Sequence, residues 1–208
     1  MKVSFCVGNG ESRTGYDLRK LQPYGEIYGA NALYRDITVD HLVCCDRKMC
    51  METVQKEYTG LVYTRKDWFS FFPYKNYKQL PDLPWEETEK YTQSFHMGSG
   101  LHAVNLALRN ESDIVVLIGH DFWGTNNLHN NVYKGTSNYW AKEHHAIDPS
   151  FWIKQFVLFF RHYPHVNFVF AQPNINQWNR PPGWEDVFEN VMFQELRDLA
   201  DDLHITQG

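Results

Sequence analysis

The stretch "DIVVLIGHDF", residues 113–122, decides the fold class. Its apolar run from Ile114 to Ile118 is too short for a helix, is mostly β-branched and is closed by Gly119. It lacks the polar alternation of a strand with one wet face. An unbroken apolar strand of this kind belongs in a parallel sheet covered on both sides. "NFVFA", residues 167–171, has the same character, and "VSFCVGNGESR", residues 3–13, runs from a short strand into a Gly-Asn-Gly turn. Strands are predicted at 2–7, 26–30, 40–45, 60–64, 113–118 and 166–171.

Helical segments interleave with them: "MCMETVQKE" (49–57), "SGLHAVNLALRN" (99–110) and "DPSFWIKQFVLFFRHY" (148–163), the last with Asp148 as N-cap and Pro149 at the first helical position. Trp184, Val187, Phe188, Val191, Leu196, Leu199 and Leu203 recur at three-to-four-residue spacing, which predicts an amphipathic helix over 184–203. The expected fold class is α/β, a single domain over 1–208 with a mostly parallel, Rossmann-like sheet flanked by helices. Two long irregular regions remain, 74–98 and 119–147, and the second is expected to form a lid over a site. "KDWFSFFPYKNY" (66–77) reads as aromatic packing under a loop, and "NINQWNRPPGW" (174–184) as a turn-rich connector from which Arg180 could reach a phosphate.

Composition excludes several classes. The 208 residues are 43 % hydrophobic and 16 % aromatic, which rules out a disordered chain. Net charge is −5 and the Lys and Arg are dispersed, against a nucleic-acid or anionic-membrane surface. No segment approaches the roughly 18–20 apolar residues of a membrane span, and the N-terminus has no long apolar region of a signal peptide. A soluble, cytoplasmic protein is expected, with a homo-oligomer compatible through the C-terminal apolar face. Cys6, Cys44, Cys45 and Cys50 form no C-x-x-C pair and are expected as buried free thiols.

Three places carry candidate chemistry. Gly8, Asn9, Gly10 and Ser12 follow the first strand, where glycines can offer backbone N–H groups to phosphate and short polar side chains can bind phosphate or sugar. Position 13 is Arg, so this is not the dinucleotide G-x-G-x-x-G. Gly98, Ser99 and Gly100 lead into a helix whose N-terminus favours an anion, though an ordinary serine cap reads the same way. Asp121 stands with Gly119 and His120 at the end of a buried strand, where sites are built in this architecture. The following loop holds Tyr133, Tyr139, Glu143, His144, His145 and Asp148; histidine is the usual general base near neutral pH. His96 and His102 would lie roughly 240° apart on a helix and are not a metal pair.

Taken in order, "VGNGES", "IYGANALY", "GSGLHAVNLAL", "LIGHDF" and the later "HH" followed by "FVFAQPN" resemble the compact bacterial sialyltransferases that use CMP-sialic acid to extend lipooligosaccharide. The opening and the G-x-D-F element are also similar to the MptE-like pterin diphosphokinases. The resemblance covers about residues 2–174 in short motifs. It implies that Asn9, Ser12, Asn31 and the Ser99-Gly100 turn contact a donor nucleotide, that Tyr133 and Tyr139 hydrogen-bond the leaving phosphate, and that His145 or His144 is the general base, with His145 preferred. Asp121 would hold a positioning role.

The activity so implied is transfer of a sugar, sialic acid or another, from a nucleotide-sugar donor, CMP-linked in the sialyltransferases, to a hydroxyl-bearing acceptor, with no metal and no other cofactor required. The diphosphokinase alternative would need ATP and Mg²⁺, for which Asp46, Asp121 and Asp148 form no recognisable motif. A non-catalytic nucleotide-binding protein that keeps the fold is the third reading. The sequence departs from the family at Glu11 and Arg13: Glu11 near a phosphate is unfavourable unless it turns away or pairs with Arg13.

Overall fold

The computed structural model describes residues 1–173 and 180–199. In chain order they form β1 (Val3–Val7), β2 (Glu26–Ala30), β3 (His41–Val43), α1 (Arg47–Gln55), β4 (Val62–Thr64), α2 (Lys66–Phe69), β5 (Tyr77–Gln79), α3 (Ser99–Arg109), β6 (Ile114–Ile118), α4 (Ser150–His162), β7 (Asn167–Gln172), α5 (Trp184–Val187) and β8 (Val191–Glu195), with 3-10 turns between. The strands make one sheet of order β5-β4-β3-β2-β1-β6-β7-β8, and every pairing in it is parallel. This is the α/β, Rossmann-like architecture expected. No described helix is long and apolar enough to cross a membrane.

The apolar runs are unbroken because both faces are covered. Phe5, Val7, Val116 and Ile118 pack on one side with Leu21, Leu33, Met49 and Cys50. Cys6, Val115, Leu117, Phe168 and Phe170 pack on the other, under α3 and α4. All four cysteines are buried free thiols, as expected. Burial raises the pKa of the Cys6 thiol, which suits a packing group and not a nucleophile.

α3 is buried along nearly its whole length, including the polar His102 and Asn105. These side chains tie down the long 80–98 segment. His102 Nε2 donates to the Ser94 carbonyl (3.0 Å), Asn105 Nδ2 to that of Pro81 (3.3 Å), and Gln155 Nε2 of α4 to that of Tyr91 (3.1 Å). Trp85 stands edge-on to Phe159 with ring centroids 4.9 Å apart. Buried polar groups thus supply the partners that a loop without regular structure cannot give itself.

Two strands depart from the sequence-based expectation. β5, in the aromatic segment 66–77 and beyond, pairs with β4, while Phe72 and Tyr77 stack with ring centroids 5.3 Å apart. The predicted helix over 184–203 is corrected: α5 ends at Val187, and 191–195 are the edge strand β8 beside β7. Val191 and Phe193 face the core side, Phe193 stacking on Phe170 at 5.3 Å, while Met192 between them is exposed. That period of two, with the open edge of β7 as a backbone partner, prevails over the helical spacing. Arg180 lies over the Phe193 ring, 4.8 Å from its centroid. Leu203 and most of the predicted connector, 174–179, fall outside the described residues. At the start of α4 the Ser150 N–H donates to Asp148 Oδ1 (2.9 Å), so the expected Asp148 side-chain cap is made two residues before the first residue of the helix.

Burial lowers the pKa of both His102 and His120 to about 4. The unfolded value is about 6.5, so the unfolded chain binds more protons below that pH. The stability from each neutral ring is full above pH 6.5 and is lost as the pH falls towards 4, on the order of 3 kcal/mol per histidine. Melting temperature should fall between about pH 7 and 5, and His102→Gln should flatten that fall. An equal fall in wild type and variant would contradict this assignment.

Candidate functional site

The chain leaves β1 to build β2 through β5 on one side and returns through β6 on the other. The carboxyl ends of β1 and β6 therefore face a topological switch point, where an open α/β sheet leaves a crevice. The two exits are joined: the Gly8 N–H donates to the Ile118 carbonyl and the Gly10 N–H to that of Gly119, both at 2.8 Å. A Cβ on Gly8 would lie 2.5 Å from the Gly119 oxygen, and one on Gly10 would overlap the Asp121 carboxylate. The glycines are needed for this close approach. Their own amides bond across to the exit of β6, while both residues line the cavity at the switch point.

Beyond the turn, Asp121 accepts from the Ser12 amide (2.9 Å) and from the Ser12 hydroxyl. Ser12 and Asp121 thus lock one turn to the other. Arg13 is buried: Nε donates to the Gly8 carbonyl (3.0 Å), and one guanidinium nitrogen donates to Asp36 (3.0 Å) and to the Tyr133 hydroxyl (2.8 Å). Tyr133 in turn donates to Asp36 (2.6 Å). Glu11 pairs with Lys134 at 2.7 Å and not with Arg13.

The crevice encloses a cavity of about 200 Å³, with Asn9, Asn31, Gly100, His120, His129 and Trp152 among its lining. The N-terminus of α3 opens on it: Gly98, Gly100 and Leu101 line the cavity, and no side chain caps the helix. First-turn N–H groups with no intrahelical acceptor and the positive end of the helix dipole together suit an anion.

Ser99 itself does not face the cavity. Its hydroxyl donates to Asn31 Oδ1 (2.7 Å) and accepts from the Cys45 N–H (3.0 Å). It thereby holds Asn31, whose backbone is left-handed at φ 51°. Asn tolerates that region better than most residues, and such backbone persists where the surroundings fix it.

The 119–147 segment covers this end of the sheet and is anchored at many points. Val132 N–H donates to the Asn9 carbonyl (2.8 Å), Asn130 Oδ1 accepts from the Glu11 N–H (2.7 Å), and Arg35 donates to Thr136 and Ser137. Asn138 and Arg35 both donate to Glu52 at 2.6 Å. Burial opposes ionisation of Glu52, but hydrogen bonds from Tyr34, Arg35 and Asn138 outweigh it and the pKa is lowered.

Of the two tyrosines, the Tyr139 hydroxyl accepts from Asn9 Nδ2 (3.1 Å) and the Ala32 N–H (3.3 Å), beside the cavity. Tyr133 is spent on Arg13 and Asp36 and does not line the cavity.

His144 and His145 are exposed. His144 stacks on Trp140 at 4.2 Å with its Nδ1 on the His145 carbonyl (2.7 Å), and His145 bridges Leu128 through its backbone. Further along the segment than His120, His129 also lines the cavity, edge-on to Trp140 at 5.0 Å. Burial, then His144, then Lys134 lower its pKa, so the ring is neutral at neutral pH. His120, whose ring lies against Gly8 and Gly100, is also neutral through burial. His129 had no sequence signal, since "NNLHNN" is a polar loop, whereas His120 was marked by its place at the end of a buried strand. Among the described residues no three His, Cys, Asp or Glu side chains cluster as a metal site.

No protein-family model matches the sequence, and no curated protein matches it. Among solved structures, a variant of the sialyltransferase CST-II in complex with CMP is similar, with a TM-score of 0.58, 15 % identity, and coverage of 84 % of this chain and 83 % of that one. At that identity the likeness shows the fold.

Arg13→Met should leave Asp36 and Tyr133 without their donor. Asp36 reaches solvent, so the cost is about 2 kcal/mol instead of that of a fully buried pair. That predicts a melting point lower by about 4–8 °C, against a smaller drop for Tyr133→Phe. An Arg13→Met protein that melts like wild type would show that the guanidinium does not hold the segment.

Proposed function

We propose that the chain is a glycosyltransferase that takes a sugar from a nucleotide-sugar donor and passes it to an acceptor hydroxyl. The observation that carries this reading is the cavity at the switch point, which sets an uncapped helix N-terminus against a neutral, half-buried histidine. The similar structure is described as holding CMP, so a cytidine nucleotide is the first donor to try.

In this reading the donor phosphate lies on the amides at the start of α3, Asn31 and Asn9 bind the ribose or sugar, and Tyr139 supports the leaving group. Ser99 and Ser12 act through Asn31 and Asp121 as positioning residues. The acceptor oxygen attacks the anomeric carbon while its proton passes to His129, and the bond from that carbon to the phosphate oxygen breaks. Negative charge then develops on the phosphate, where fixed N–H dipoles stabilise it without reorganising. These roles call for one base and several hydrogen-bond donors, and no step is routed through a metal. The exposed His145 and His144 lie on the same segment and are the alternative bases to test.

Melting in the presence of CMP, UDP and ATP, each with and without Mg²⁺, tests the ligand class. A ligand at about 100 times its Kd adds roughly 2.7 kcal/mol, or about 5–10 °C for a chain this size. CMP should stabilise with or without the metal. A shift only with ATP and Mg²⁺ would replace the reading with a diphosphokinase, and no shift at all would defeat it.

For the base, His129→Gln should lower kcat by about 10²–10⁴ and leave CMP affinity unchanged. Activity retained in His129→Gln and lost in His145→Gln would move the base to His145.

A further inference from the structure

Beside the cavity, the 119–147 segment presents one large aromatic side chain to solvent. Trp140 is 48 % exposed, and a loosely held exposed apolar residue would call for no explanation. This one is held firmly. Its carbonyl accepts from the Gly135 N–H (2.7 Å), and the turn between them is tied to α1 by Asn138, whose backbone is left-handed at φ 67° and whose side chain donates to Glu52.

Two histidines then fix the indole. His144 stacks on one face, within 8° of parallel and with ring centroids 4.2 Å apart, and its carbonyl accepts from the His129 N–H (2.8 Å). The His129 ring lies 5.0 Å from that of Trp140 and 6.1 Å from that of His144. Those three separations put His129 close to a right angle from the stacking direction, at the rim of the indole and not over its second face. With one face and one edge taken, the exposed surface of Trp140 is the second face and the far rim.

That face borders the cavity, because His129, at the rim of the indole, also lines it. A ligand ring laid on the indole would stand about 4 Å above it. Its outer hydroxyls would then come within hydrogen-bond reach of the His129 imidazole.

The face of an indole is the negative part of its quadrupole, and tryptophan offers a large, rigid contact area at low cost in conformational entropy. It therefore attracts the weakly positive C–H groups that one side of a pyranose ring presents, while the hydroxyls stay at the rim of that ring. An open-chain alcohol has no such side, and a phosphate is repelled.

We infer that Trp140 is the platform for the acceptor: it holds a pyranoside by the C–H side of the ring and so directs a ring hydroxyl to His129. The inference rests on the glycosyltransferase reading and deepens it. It names the acceptor class and makes Trp140, which is not among the residues lining the cavity, a specificity-determining residue.

The test is saturation-transfer NMR in the presence of CMP, on wild type, Trp140→Phe and Trp140→Ala. The probes are methyl β-galactopyranoside, methyl β-glucopyranoside and methyl α-mannopyranoside, with glycerol as the ring-free control and adenosine as the aromatic one. Melting curves confirm folding, and Trp140→Gln replaces Trp140→Ala should the latter not fold. The Kd of CMP should be the same in every variant. At least one pyranoside should bind wild type with saturation strongest on the C–H groups of one side of its ring. It should bind Trp140→Ala about tenfold more weakly, and Trp140→Phe should recover part of the loss.

A wild type that binds no pyranoside, or binds it no better than Trp140→Ala does, would overturn the inference while leaving the nucleotide reading intact. Adenosine held through Trp140 in place of the pyranosides would overturn it in the same way. Failure of CMP to bind wild type would overturn both.

Discussion

The close joining of the β1 and β6 exits is the constraint on which the other features depend. Parallel strands side by side end at the same level, and here the ladder runs on into the turns through Gly8 and Gly10. Only glycine tolerates that approach at residues 8 and 10. With the turns fixed, Asp121 can hold Ser12, and Arg13 can reach back to the Gly8 carbonyl while it draws Asp36 and Tyr133 together. A buried guanidinium without such partners would be costly, so this cluster also pins the 119–147 segment over the sheet.

The cavity that results brings a helix N-terminus and two histidines together. The uncapped N-terminus of α3 lines it with Asn9, Asn31, His120 and His129. An anionic ligand group is favoured at that helix end. His129, held neutral by burial and by its basic neighbours, stands on the segment above. The anchors of that segment, Glu52 with Arg35 and Asn138, lie outside the cavity lining.

The central strands were legible because burial on both faces leaves an unbroken apolar run, and α3 and α4 were legible by their length and lead-in residues. β5 and β8 were not: each is a short edge strand whose pairing depends on a neighbour far from its own sequence context. The position of Asn31 and Asn9 at the cavity came through the motif resemblance, but their local roles did not. Ser99 supports Asn31 instead of facing the cavity, and the glycine turn spends its Gly8 and Gly10 amides on the exit of β6. His129 and His120 illustrate the limit most clearly. Their neutral rings follow from burial and from charges brought together by folding, neither of which a single sequence displays.

A crystal structure of the protein soaked with CMP tests the central claim most directly. Density for the nucleotide in the switch-point cavity, with its phosphate on the amides of Gly100 and Leu101, is the result predicted. CMP bound elsewhere, or a cavity with no nucleotide at a concentration that stabilises the protein, would contradict the account.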